Sequence, residues 1–128
     1  MRTTNYNNTL IAVAESCKKT VGTIPPSKTP PTVAQLTYDL ISKNPYQYTS
    51  DEILLAIYRE RHGDFSMQEY NRKNQACFRC SPLAKNYGWG FHFNSEWKVA
   101  IYGMESEQYN HLLSDTEVTQ RQAFSSKS

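Results

Sequence analysis

With 128 residues and 14 Lys and Arg against 12 Asp and Glu, the chain carries a formal charge of +2, too mild to make nucleic acid a global partner. Its 38% hydrophobic residues, among them nine Tyr, five Phe and two Trp, exclude a disordered chain. The early apolar run Leu10 to Ala14 is far too short for a signal-peptide core or a membrane span, and three cysteines, an odd number, point to a reducing compartment. The expectation is a soluble cytoplasmic protein folded as one domain over 1–128, with loose ends at 1–8 and 125–128 and no disulfide or metal staple.

In chain order, Thr9 to Ala14 reads as a buried strand. Residues 17–31, with Gly22, Pro25-Pro26 and Pro30-Pro31, read as an extended surface loop, because proline fixes φ and removes a donor. Thr32 with Gln35 makes a capping box for a helix whose face is Val33, Leu36, Leu40 and Ile41, stopped at Asn44-Pro45. Thr49 with Glu52 makes a second box. Its helix buries Ile53, Leu54, Ile57 and Tyr58, carries Arg59, Arg61 and His62 in its last turn, and ends at Gly63. Ser66 with Glu69 makes a third, with Phe65 and Tyr70 as its staple.

Ala76 to Cys80 reads as a strand, and Ser81-Pro82 as an N-cap with proline at the first helical position, giving one or two turns before Gly88. From Trp89 the period becomes two: Trp89, Phe91 and Phe93 face one way, Gly90, His92 and Asn94 the other. Asn94-Ser95-Glu96 reads as a turn and Lys98 to Tyr102 as the hairpin partner. A helix over Met104 to Ser114 and a weak last strand over Val118 to Phe124 follow. Together these predict an α+β fold: a small antiparallel sheet with helices packed mainly on one face.

Charge divides unevenly in the second half. Tyr70 to Ser95 holds Arg72, Lys73, Arg79 and Lys85 and no acid, whereas Val99 to Val118 holds Glu105, Glu107, Asp115 and Glu117 and no base. The basic stretch also carries Tyr87 and Trp89, so Arg79, Ser81, Lys85, Tyr87, Trp89 and His92 form a candidate surface for a small anionic or aromatic ligand or a protein partner. Core aromatics beneath an ordinary surface would produce the same pattern. Cys77-Phe78-Arg79-Cys80 is a C-x-x-C, but within a strand its two side chains turn to opposite faces. Cys17, His62, His92 and His111 lack ligand spacing around it, so no metal site and no cofactor are expected. The sharpest enzyme reading is a Cys77 nucleophile assisted by His92, and a nucleic-acid accessory role through exposed aromatics is weaker. A free sheet edge leaves homodimerisation open without requiring it.

The sequence resembles, nearly end to end, a family of small, mainly bacterial proteins known as a domain of unknown function and numbered 6157. The likeness begins at Thr4-Asn5-Tyr6 and passes through Gly22, Pro25-Pro26, Asn44-Pro45-Tyr46 and Tyr48 to Asp51. It is most specific at Cys77, Arg79, Ser81-Pro82-Leu83-Ala84-Lys85, Tyr87-Gly88-Trp89-Gly90 and His92. Val99-Ala100, Tyr102-Gly103, Glu105 to Glu107 and Tyr109 complete it. In that pattern the position of Cys80 varies, which implies against a two-cysteine mechanism. The resemblance implies no particular activity. The sequence therefore favours a binding module over a cysteine-dependent enzyme.

Overall fold

A computed structural model describes residues 6–63 and 78–123, apart from the side chains of His62 and Cys80. Its order is β1 (Thr9–Ala12), α1 (Val33–Lys43), α2 (Ser50–His62), a 3-10 turn (Phe78–Cys80), α3 (Pro82–Asn86), β2 (Trp89–Phe93), β3 (Val99–Gly103), α4 (Glu107–Ser114) and β4 (Thr119–Gln122). The four strands form one sheet in the order β3-β2-β1-β4. β2 pairs antiparallel with both β1 and β3, whereas β4 lies parallel to β1, so the sheet is mixed where a purely antiparallel one was expected. The helix α4 supplies the reason: it carries the chain from β3 over one face of the sheet before β4 begins, a crossover that a tight hairpin could not make. The α+β class holds.

Period two divides the sheet residues between two apolar layers. On one face Ile11, Phe91, Phe93 and Val99 pack with Ala34 and Ile41 of α1, Ile53 and Ile57 of α2, and Leu83 and Ala84 of α3. On the other, Leu10 and Val13 pack with Tyr109 of α4 and with Val118. Three helices therefore cover one face and a single short helix covers the other, which is the expected asymmetry.

The caps form largely as the sequence predicts. Thr49 and Glu52 complete their box, with the Thr49 Oγ1 accepting from the Glu52 N–H and the Glu52 carboxylate accepting from the Thr49 N–H. The Thr32 box is only half made. Thr32 Oγ1 accepts from the Gln35 N–H, but the Gln35 amide oxygen accepts instead from the Lys28 N–H and ties down the proline-rich loop. Ser81 caps α3 with Pro82 at its first position, and Gly88 follows at φ +77°. The third capping box, at Ser66, lies outside the described residues.

Two elements depart most from the sequence reading, the strands differing by one or two residues at their ends. Residues 78–80 form a 3-10 turn and not a strand. Phe78 is fully buried and stacks on Phe91 with ring centroids 4.5 Å apart, while the Ser81 N–H closes the turn on the Phe78 carbonyl. Tertiary packing here overrides the β propensity of an aromatic next to cysteines. The last helix starts at Glu107, not Met104, because Ser106 caps it by accepting from the Tyr109 N–H.

Two segments outside the regular elements are firmly attached. Asn7 and Asn8 donate from their side chains to the carbonyls of Ser95 and Glu117, and Tyr6 packs on Phe93. In the 17–31 loop the Gly22 N–H donates to Glu105, holding that carboxyl below the usual carboxylate range, and the Trp89 indole N–H donates to the Thr23 carbonyl. Among the described residues no helix is long and apolar enough to cross a membrane.

Candidate functional site

His92 sits at the fourth position of β2, so alternation points it away from Phe91 and Phe93 and toward α4. Its cross-strand neighbours are Leu10 on β1 and Ala100 on β3, both apolar. Tyr102, two residues beyond Ala100, stands diagonally on the same face. The third member comes from far away in sequence. After α1 the chain turns at Asn44-Pro45, the Tyr46 N–H donates to the Val99 carbonyl, and the Tyr46 hydroxyl meets His92 of β2 and Tyr102 of β3.

These three side chains form one hydrogen-bonded chain. Tyr46 Oη lies 2.7 Å from His92 Nδ1 and 2.8 Å from Tyr102 Oη. The Tyr46 ring meets the imidazole edge-on, with centroids 5.7 Å apart. Tyr46 holds this position at φ +58°, a left-handed backbone that a bulky residue seldom adopts and that costs on the order of 1–3 kcal/mol. The strain is offset by the contacts the side chain makes.

The trio lines a cleft of about 550 Å³, and Glu107, Gln108, His111 and Leu112 of α4 make its other wall. That volume falls in the range of small-molecule sites. The wall's position depends on Gly90. A Cβ at Gly90 would lie 2.5 Å from the Tyr109 ring, so only glycine lets that ring lie flat on β2. Tyr109 Oη then accepts from the Val13 N–H at 3.0 Å, which pins α4 to the sheet.

Burial sets the protonation of the chain. It pulls the His92 pKa below its ordinary 6.5, against an opposing pull from the Asp115 carboxylate. It also raises the Tyr46 phenol, reinforced by Tyr102, well above the usual tyrosine range. At neutral pH the imidazole is therefore uncharged and the Tyr46 hydroxyl keeps its proton. Among the described residues no group of three His, Cys, Asp or Glu side chains is placed to hold a metal ion.

The structure separates His92 from the other residues of the basic-aromatic stretch. Trp89 and Tyr87 pack against the core on the helix-covered face, Trp89 lying 5.3 Å from Tyr38 of α1. Ser81 is buried and spends its hydroxyl on capping α3. Arg79 donates from Nε to the Gln122 carbonyl at 2.8 Å, bracing β4, and Lys85 lies in the last turn of α3. Cys77 lies outside the described residues, and His92 Nδ1 is engaged by a tyrosine.

Sequence reasoning found His92 but missed Tyr46, Tyr102 and the α4 wall. The period-two pattern already turned His92 away from Trp89, and Asn44-Pro45-Tyr46 and Tyr102-Gly103 both stood among the residues of the family likeness. Nothing local, however, joins positions 46 and 92.

No curated protein and no solved structure gives a match. A family model described as "Family of unknown function (DUF6157)" does match, over residues 1–128. The chain belongs to that family.

Proposed function

We propose that this protein is a binding module for a small molecule, held in the cleft between the β2–β3 face and α4. The Tyr46–His92–Tyr102 chain carries the reading. Three polar side chains from a turn and two strands converge there on a cleft of suitable size, and one of them adopts a costly backbone to do so. Buried polar groups are normally spent on holding a fold together. Here His92 and Tyr102, the two ends of the chain, line the cleft. The Leu112 side chain and the tyrosine rings supply apolar surface, and Gln108 and Glu107 add polar groups to the lining. Placement in a bacterial cytoplasm fits the odd cysteine count and Cys17, a free thiol.

A fragment screen read by NMR at the aromatic side chains tests this. Small polar fragments should shift the ring signals of Tyr46, His92 and Tyr102 together in a saturable way. Shifts confined to Trp89, Tyr87 and Arg79 would return the site to the basic-aromatic surface, and a screen that moves neither set would remove the proposal.

A further inference from the structure

The proton count of the Tyr46–His92–Tyr102 chain defines what its open ends offer. Tyr46 has one hydroxyl proton and these two partners, and accepting from both would leave its half-buried proton without a partner among the described residues, so it donates to one and accepts from the other. In the first arrangement Tyr102 donates to Tyr46 and Tyr46 donates to His92 Nδ1. The imidazole proton then sits on Nε2, leaving Nε2 a donor and the Tyr102 oxygen an acceptor. In the second, His92 Nδ1 donates to Tyr46 and Tyr46 donates to Tyr102. Nε2 is then an acceptor and the Tyr102 hydroxyl a donor. Either way the two ends present one donor and one acceptor.

Both end residues line the cleft. His92 Nε2 has no hydrogen bond among the described residues, and no buried side-chain N or O atom there lacks a partner, so Nε2 meets solvent. The groups facing the imidazole add no fixed positive charge. Leu10 of β1 and Ala100 of β3 are apolar, Tyr102 and Tyr46 are phenols, and α4 brings Glu107, Gln108 and His111, with Asp115 just beyond its end. The nearby carboxylates repel an anion.

We infer that the cleft takes an uncharged ligand bearing one hydrogen-bond donor beside one acceptor, a primary carboxamide or a lactam, in preference to the matching carboxylate. This inference rests on the binding-module reading and names its ligand class. Protonating His92 reverses the preference. The imidazolium donates from both nitrogens, Tyr46 then keeps its proton partnered only by donating to Tyr102, and both ends become donors suited to a carboxylate. The low pKa of His92 keeps that state out of the neutral range.

Benzamide and benzoate, of nearly equal shape, make the test, titrated separately into the full chain and followed by NMR at His92 and Tyr102. At neutral pH benzamide should bind about tenfold more tightly or better than benzoate, and at a pH below the folded His92 value, with the benzoate still ionised, the order should invert. The His92→Gln variant, which has no imidazolium state, should show no inversion. Benzoate binding as tightly as benzamide at neutral pH would overturn the inference while leaving the cleft a binding site. Failure of both probes to move His92 or Tyr102 at either pH would overturn the binding-site reading itself.

Discussion

Replacing Gly90 by alanine should unseat the wall of the cleft. The Gly90 backbone is outside the left-handed region, so alanine is conformationally allowed and even favoured over glycine in the unfolded-state balance. The difficulty is purely spatial: the new Cβ would stand 2.5 Å from Cε1 and 2.8 Å from Cδ1 of Tyr109. That ring is almost fully buried, at 5% exposure, and its hydroxyl holds the Val13 N–H, so it cannot move away freely. Overpacking at such a site costs about 1–3 kcal/mol, and displacement of the hydroxyl would leave the Val13 N–H unsatisfied at a similar cost. Tyr109→Ala alone should cost about 3–5 kcal/mol, the range for removing a buried aromatic. The two changes should couple. Once the ring is gone only the Ile11 carbonyl, 3.2 Å away, still crowds the new Cβ, so Gly90→Ala should cost about 1 kcal/mol or less, giving a coupling energy of about 1–3 kcal/mol in a double-mutant cycle. Urea unfolding of the four proteins measures it. Additive single and double effects, or a silent Gly90→Ala, would refute the contact on which the α4 position rests.

Other expectations follow from the same geometry. Trp89→Phe removes the indole N–H that holds Thr23, so it should cost about 1–2 kcal/mol and speed protease cleavage within 17–31, with unchanged cleavage counting against the tether. The depressed His92 pKa gives a pH signature. Its contribution to stability is fully present above 6.5, the unfolded value, and is lost as pH falls through the lower folded value, because the unfolded state takes up the proton first. The stability of the wild type relative to His92→Gln should therefore fall on acidification across that window. A difference that is flat or rises toward acid would contradict a buried neutral imidazole.

The fold was legible where local chemistry dominates. Capping hydroxyls at Thr32, Thr49 and Ser81 announced three helix starts, and strict alternation from Trp89 to Phe93 announced β2 and the way His92 faces. Legibility failed where distant packing decides. Phe78 belongs to a 3-10 turn because Phe91 lies beneath it, and β4 runs parallel to β1 because α4 intervenes. The site was half legible for the same reason. His92 stood out, but its partners come from the turn after α1 and from the far end of β3. Sheet register brings 92 and 102 together, and the turn that hydrogen-bonds to Val99 adds Tyr46. The charge asymmetry marked a real division of the chain, although its basic half supplies structural contacts through Arg79 and its acidic half supplies the cleft wall.

The two faces of β2 can be set against each other in one measurement, the benzamide affinity of three proteins: wild type, Tyr46→Phe, and a double variant carrying Arg79→Gln and Lys85→Gln. Tyr46→Phe breaks the hydrogen-bonded chain at its centre and should weaken binding about tenfold, the worth of roughly one good hydrogen bond, while the double variant should bind like wild type. Equal binding by Tyr46→Phe, with loss in the double variant, would contradict the account and place the site on the opposite, basic-aromatic surface.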